Sequence, residues 1–305
     1  AAALEPAPLV LVHPVIGQHQ PEALARAHKA FQQFLFEQRA NAEARQRLAA
    51  LYLRHTIENL PTLAVAPDVS ALDGIASGDP LVLIGAGPSL DRLLPELAKH
   101  RDRAWFVALD TALRPLMQAG IVPDIVVAVD PTTLNGRHLI NLPSRARPWL
   151  VAEGSVDPRA INAFAGRVLA SRLGNADPWP WLEGLGMSPT RLRVWGSVLT
   201  ASCDLVLRMR ASCVLFAGMD LAFTNAQSYC RGTAFEEDWE AQRVRDGLDS
   251  IEAVWEVRIR EHAVEELDVN GRPTRTAPSM IAFRNWARTY VASAQGCSFF
   301  NVTGA

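Results

Sequence analysis

This 305-residue chain predicts a Rossmann-like α/β fold, a mostly parallel sheet with helices on both faces, plus an N-terminal helical appendage. Three observations carry that expectation. Short apolar runs recur, each closed by glycine or an acidic residue and most followed by a helical stretch. Within the runs the apolar positions are consecutive rather than alternating, as expected of strands buried on both faces. The composition, 49% apolar and 20% charged with 19 Gly and 20 Pro, is that of an ordinary globular chain.

From Pro21 to about Leu60 the chain is rich in Ala, Gln, Arg, Glu and Leu and lacks glycine. Phe31, Phe34 and Leu35, then Leu48, Leu51 and Leu53, repeat at roughly helical spacing, which predicts one or two helices forming a packing appendage. Pro61 to Pro80 reads as a linker with a short helix. Residues 1–78 are therefore assigned to a helical segment and linker, and 79–305 to a Rossmann-like α/β domain. Leu81–Ile84 is the first strand, turning through Gly85-Ala86-Gly87-Pro88-Ser89 into a helix that runs to about Lys99. Trp105–Leu109 ends at Asp110 and enters a helix closed by Gly120. Ile125–Val129 ends at Asp130-Pro131, and Trp149–Ala152 at Glu153-Gly154. Arg167–Ala170 is a further short strand. Gly196-Ser197 opens a helix to about Met209, and Cys213–Ala217 ends at Gly218-Met219-Asp220. Residues 224–277 read as irregular and polar, with a helical piece near 236–245 and a hairpin from His262 to Leu267 turning at Asn270-Gly271. A helix over Pro278–Ala294 and a strand over Ser298–Val302 close the chain.

In an open parallel sheet, ligands gather outside the carboxyl ends of the strands. Gly85 to Ser89, Asp110, Asp130, Glu153, Gly196-Ser197 and Asp220 all fall at such ends. The amides of Gly85, Ala86, Gly87 and Ser89, with the Ser89 hydroxyl, sit at the positive end of a helix and suit a phosphate. A tight strand-to-helix turn without a ligand is the alternative. Asp124 after Pro123 reads as a turn or strand-entry residue, His138 and His262 as candidate general bases or, more simply, solvated histidines, and the Pro/Trp stretch Asp177–Trp181 with Trp195 as a packed surface loop or a stacking platform.

Thirty bases against 32 acids give a net charge of −2, which removes the electrostatic case for nucleic acid or an anionic membrane. All bases but Lys29 and Lys99 are arginines, scattered along the chain. Cys203, Cys213, Cys230 and Cys297 form no zinc or CxxC spacing and read as reduced thiols. No apolar run is long enough to span a bilayer and the N-terminus lacks the pattern of a signal peptide, so a cytoplasmic, membrane-free protein is expected. The chain begins with Ala rather than Met, as a processed or trimmed chain would. No Lys-Ser/Thr follows the second glycine, which excludes a P-loop; Leu90 stands where a dinucleotide fingerprint needs its third Gly or Ala, which argues against NAD.

The run LVLIGAGPSLD (81–91) resembles the opening of the motility-accessory-factor (Maf) flagellin glycosylation family. AWFVALDTALRPLMQAGIVPDIVVAVDP (104–131), VWGSVLTASCDLVL (194–207), AGMDLAF (217–223), VNGRPTRTAPSM (269–280) and NVTGA (301–305) follow in family order over about 225 residues, and Glu58-Asn59-Leu60-Pro61 also fits. The same domain is found in archaeal 6-hydroxymethylpterin diphosphokinases, and GAGPSL is similar to the nucleotide loop of family-42 sialyltransferases. The Asp110 to Asp130 segment is similar to thiamine pyrophosphokinase, but ends AVDPT rather than in that enzyme's GDxDS-like acidic cluster.

The resemblance implies transfer of a nonulosonic acid, of pseudaminic, legionaminic or sialic type, from a CMP-sugar to Ser/Thr of flagellin, with no required cofactor. The alternatives are a diphosphokinase using ATP and Mg²⁺, held by Asp110, Asp124 and Asp130, and a nucleotide-binding protein without catalysis. For the transferase, Gly85, Ala86, Gly87 and Ser89 would bind the nucleotide phosphate and Asp110 and Asp130 the ribose, base or acceptor hydroxyls. Ser197 would hold the donor phosphate or carboxylate. Asp220, Glu153 and Asp130 are the catalytic candidates, with Asp220 or Glu153 as base. Asn301 and Thr303 would line the sugar pocket. The family motif runs on past this point, which implies a trimmed C-terminus.

Overall fold

A computed structural model describes residues 11–142, 146–174, 178–193 and 196–304; the first ten residues, Asp177 and Trp195 lie outside them. The chain divides into two units, 1–51 and 52–305. The first contains α1 (Pro14–His19) and most of α2 (Pro21–Leu63). Both helices open on proline, whose fixed φ and missing N–H suit a first helical position. His13 caps α1, its Nδ1 accepting from Val15 N–H at 3.3 Å.

The second unit takes up the last turns of α2, then β1 (Pro80–Ile84), α3 (Leu90–Lys99), β2 (Trp105–Leu109), α4 (Asp110–Gln118), β3 (Ile125–Ala128) and α5 (Thr133–Gly136). There follow β4 (Trp149–Glu153), α6 (Pro158–Ala163), β5 (Val168–Ser171), α7 (Trp179–Gly184), α8 (Val198–Arg208) and β6 (Cys213–Ala217). The chain continues through α9 (Glu236–Asp246), α10 (Ile251–His262), β7 (Val264–Leu267), β8 (Pro273–Thr276), α11 (Pro278–Ser293) and β9 (Ser298–Asn301).

Seven strands form one sheet in the order β5-β4-β3-β2-β1-β6-β9, every neighbouring pair parallel. Parallel pairing demands crossovers, and the helices that supply them bury both faces. Leu81, Leu83, Val107, Leu109, Ile125 and Val127 pack on one face with Leu199, Cys203 and Val206 of α8. Their neighbours Val82, Ile84, Phe106 and Ala108 pack on the other face with Leu90 and Leu97 of α3 and Ala112 and Leu116 of α4. Residue-by-residue alternation between two apolar layers explains why the strands read as unbroken apolar runs.

The strand order reverses between β1 and β6: from β1 the chain builds outward to β5, then returns to lay β6 and β9 on the other side. Loops leaving the two central strands diverge there, and the crevice outside their carboxyl ends is the favoured ligand position of such sheets.

The 224–277 region is more ordered than its polarity suggests. Besides α9 and the expected hairpin β7–β8, it contains α10, read from sequence as irregular. Ile251, Val254, Trp255 and Ile259 fall on one side of α10, and the last three, with Trp239 of α9, are buried in a separate small core. Charged residues at the intervening positions mask that stripe in a composition count.

Candidate functional site

The Gly85–Ser89 turn lies at the strand-order reversal, and the loop after β6 presses directly against it. Gly85 N–H donates to Ala217 O at 2.9 Å and Gly87 N–H to Gly218 O at 2.8 Å. A Cβ on Gly85 would lie 2.7 Å from Gly218 O, and one on Gly87 would collide with both Gly218 O and an Asp220 carboxylate oxygen. Backbone approach therefore accounts for these glycines, and of the amides expected to face a phosphate, those of Gly85 and Gly87 are engaged within the fold. Ser89, at the N-cap of α3, meets an anion: the Asp220 carboxylate. Ser89 N–H points at Oδ1 (3.1 Å) and Oδ2 (3.3 Å), Ser89 Oγ–H donates to Oδ2 at 2.6 Å, and Thr224 Oγ1–H donates to Oδ1 at 3.0 Å. Burial raises the Asp220 pKa, opposed by the hydrogen bonds from Ser89 and Thr224. A helix N-terminus that holds a carboxylate on an amide and a hydroxyl has the chemistry of a phosphate-oxygen seat.

Asp110, the first residue of α4, is buried at the carboxyl end of β2. Burial pushes its pKa up to about 7, against the pull of the Thr111 N–H bond (2.7 Å) and helped by the charge of Asp130. Asp130, half-buried beyond β3, accepts Thr132 N–H at 2.7 Å and Thr132 Oγ–H at 2.5 Å, both on Oδ1. The two carboxyls follow the neighbouring parallel strands β2 and β3 at their carboxyl ends. Asp124 does not join them. It precedes β3 at the amino edge of the sheet, accepting Phe106 N–H (2.8 Å) and an Arg101 guanidinium bond (2.6 Å). Four residues of strand, roughly 13 Å, separate that level from Asp110. The three-carboxylate Mg²⁺ set expected for a diphosphokinase therefore does not assemble, and among the described residues no group of three His, Cys, Asp or Glu is arranged to hold a metal.

Glu153 ends β4 and is enclosed by its own loop. Ser155 N–H (2.6 Å) and the Ser155 hydroxyl donate to Oε2, and Trp179 Nε1–H donates to Oε1 at 3.1 Å. Burial raises its pKa against those bonds. Its contacts make it a loop anchor. Asn59 Nδ2 donates to Gly154 O (2.9 Å) and Val156 O (2.7 Å), and His55 Nδ1 lies 3.1 Å from Ser155 O, so the end of α2 holds the same loop. Ser197 caps α8, its Oγ accepting Leu199 N–H at 3.2 Å. Asn301 ends β9, its Oδ1 accepting Thr303 N–H (2.9 Å) and Oγ–H (2.6 Å).

His138, read as solvated, is buried against Phe235; burial and the Arg114 and Arg137 charges lower its pKa to about 4. His262 is exposed at the end of α10. Of the Pro/Trp stretch, Trp179 is buried on Glu153 and Trp181 is exposed.

Sequence reasoning marked residues 221–223 within AGMDLAF and 224–231 as part of an irregular polar region, without the contacts that bring this segment to the glycine turn. Cys230 N–H donates to Ala86 O at 2.9 Å, and Asp91 of α3 accepts Arg231 N–H (2.9 Å) and Gln227 Nε2–H (3.1 Å).

Fold and site together define a Rossmann-like α/β protein with an all-parallel main sheet, at whose carboxyl edge Ser89 and Asp220 meet. A family model described as 6-hydroxymethylpterin diphosphokinase MptE-like matches residues 54–226, and the chain belongs to that family. An uncharacterized protein of Treponema pallidum (strain Nichols) is 28% identical over 224 residues, 70% of this chain and 37% of its own length. A second from the same organism is 26% identical over 106 residues, 34% of this chain and 50% of its own. A solved Maf glycosyltransferase from Magnetospirillum magneticum AMB-1 shares the fold at a TM-score of 0.54 and 18% identity, over 86% of this chain and 39% of that one. The chain thus spans about a third to a half of the length of these relatives. Among the described residues no helix is long and apolar enough to cross a membrane.

Proposed function

We propose that this chain is the core of a cytoplasmic glycosyltransferase that moves a nonulosonic acid from a CMP-sugar to a Ser or Thr hydroxyl of flagellin. The observation that carries this proposal is the Ser89 seat: an amide and a hydroxyl at a helix N-terminus converge on one anion at the strand-order reversal. The Asp220 carboxylate oxygens stand in for the non-bridging oxygens of the donor phosphate. In the reaction the acceptor oxygen bonds to the anomeric carbon as the bond from that carbon to the phosphate oxygen breaks, and CMP leaves with the electron pair. Ser89 stabilises the charge that develops on the phosphate. Asp110, neutral up to about pH 7, donates a hydrogen bond to a ribose or sugar oxygen, and Asp130 takes the acceptor proton. Ser197 and the Asn301–Thr303 turn also stand at carboxyl-edge positions and line the donor side. The family relationship and the Maf-like fold support this assignment.

Incubation with a CMP-activated nonulosonic acid and unmodified flagellin tests it: the acceptor gains the sugar mass and free CMP appears. Nucleotide binding with no transfer to any acceptor would leave a non-catalytic nucleotide-binding protein. The description of the family model favours a second activity, diphosphoryl transfer from ATP to a pterin alcohol. Release of AMP with ATP and Mg²⁺, and none of CMP, would select it. The residues present do not fit its three-carboxylate metal set, because Asp124 is committed to Arg101 and the Phe106 amide at the opposite edge.

A further inference from the structure

We propose that residues 224–274 form a hinged cap that covers Asp110 in this structure and swings away as a unit to admit substrate to the carboxyl edge. This rests on the reading of that edge as the site and adds how a ligand reaches it.

The need for a moving part comes from burial. Asp110 is 1% exposed, so no ligand oxygen reaches its carboxyl in this arrangement. Tyr229 and Cys230 of the cap pack with Ala86 of the glycine turn and with Ala112 and Leu116 of α4, the helix that Asp110 opens. Burial, and then the Asp110 charge, raise the Tyr229 pKa.

The chain supplies a hinge. It enters the cap through 221–223 and leaves it through 275–276, and these two segments are bonded to each other: Phe223 N–H donates to Arg275 O at 2.8 Å and Thr276 Oγ1–H to Leu221 O at 2.7 Å. Between them α9 and α10 pack chiefly on one another around Trp239, Val254, Trp255 and Ile259, a core separate from those of the sheet. A body with its own core on a two-segment neck can move without unfolding.

The hold of the cap on α4 and on the chain after α5 is polar and incomplete. Arg114 Nη1 donates to Glu237 at 3.2 Å, Arg137 Nη1 to Asp238 at 3.1 Å, and Ala234 N–H to His138 Nδ1 at 3.4 Å. On the same seam Arg114 Nε, Arg137 Nε, His138 Nε2 and Thr233 Oγ1 are buried and have no hydrogen-bond partner among the described residues. Water satisfies these groups when the seam parts, so opening recovers hydrogen bonds that closure forgoes. Beside the glycine turn the seam is closed by Cys230 N–H on Ala86 O and Arg231 N–H on Asp91, two further bonds that water can replace.

Two native thiols report on the motion. Cys230 is buried where the cap meets the glycine turn, and Cys203 is buried in α8 against the other face of the sheet. The full chain is labelled with a maleimide under native conditions and the labelled peptides are timed by mass spectrometry. Carbodiimide modification of Asp110 and amide exchange over 236–262 are followed in parallel. Cys230 is expected to label at least about tenfold faster than Cys203, since the cap opens without global unfolding. Arg137→Ala should speed Cys230 labelling and Asp110 modification together by roughly threefold, the worth of one exposed ion pair, and leave Cys203 unchanged. Amides inside α9 and α10 should stay protected while Cys230 reacts.

Equal rates for Cys230 and Cys203, or a Cys230 rate indifferent to Arg137→Ala, would overturn the cap. Loss of α9 and α10 protection in step with Cys230 labelling would mean local unfolding and overturn the hinge. CMP binding with Cys230 no faster than Cys203 would overturn the cap and leave the transferase standing. Opening as expected, with no CMP binding, would retain the cap and remove the CMP-sugar assignment.

Discussion

Replacing Asp110 with Asn should convert a pH-dependent protein into a flatter one. Asp110 is buried, and its pKa rises from 3.8 to about 7. A carboxyl whose folded pKa exceeds its unfolded value contributes its full stability below the unfolded pKa and loses it as pH rises through the folded one. The window therefore runs from about pH 4 to about pH 7. A shift of about three units corresponds to about 4 kcal/mol as an upper bound, which relaxation of the buried site and the α4 amide end reduce. Asn keeps the shape and can still accept the Thr111 N–H. Urea unfolding of the two proteins at pH 4.5, 6 and 8 measures the effect. Asp110→Asn should be about as stable as the parent near pH 4.5 and more stable by roughly 2–4 kcal/mol at pH 8. Parallel stability curves for the two proteins, or an Asp110 carboxyl that titrates near 4 by NMR, would refute the reasoning.

His138 should remain neutral in the folded protein down to about pH 4, so its ring resonances should not titrate between pH 5 and 8. With a depressed folded pKa, its contribution is present above about pH 6.5 and lost as pH falls towards 4. Gly87→Ala should destabilise by roughly 1–3 kcal/mol, because its Cβ meets Gly218 O and Asp220, and thermal unfolding reads this directly. Asn59→Ala strips the donor from two buried carbonyls, Gly154 and Val156, and should cost about 1–3 kcal/mol in chemical unfolding. Trp255→Ala empties the small α9–α10 core and should open residues 236–262 to limited proteolysis while leaving the sheet protected.

Much of the architecture was legible because parallel strands buried on both faces leave unmistakable apolar runs: Leu81–Ile84, Trp105–Leu109 and Cys213–Ala217 appear in the sheet where their texture placed them. Strand order was not legible, since the adjacency of β1 and β6 pairs segments more than a hundred residues apart in the chain. Helix α10 was missed because three buried positions are diluted by charged neighbours. The glycine turn was found, but a glycine that admits a ligand and one that admits Gly218 and Asp220 look identical in sequence. Asp124 was grouped with Asp110 and Asp130 only through the diphosphokinase alternative, whereas its own reading as a strand-entry residue after Pro123 matches its place just before β3. Glu153 was found as an acid at a strand end, while the Ser155 and Trp179 donors that enclose it are visible only in three dimensions.

Titration of CMP onto the full chain and onto Ser89→Ala most directly tests the central claim that Ser89 seats the donor phosphate. The proposal predicts binding to the unaltered chain without added metal and a loss of about ten- to a hundredfold in Ser89→Ala, the worth of one hydrogen bond to a charged oxygen. Equal affinity of the two proteins for CMP, or no binding to either, would contradict it.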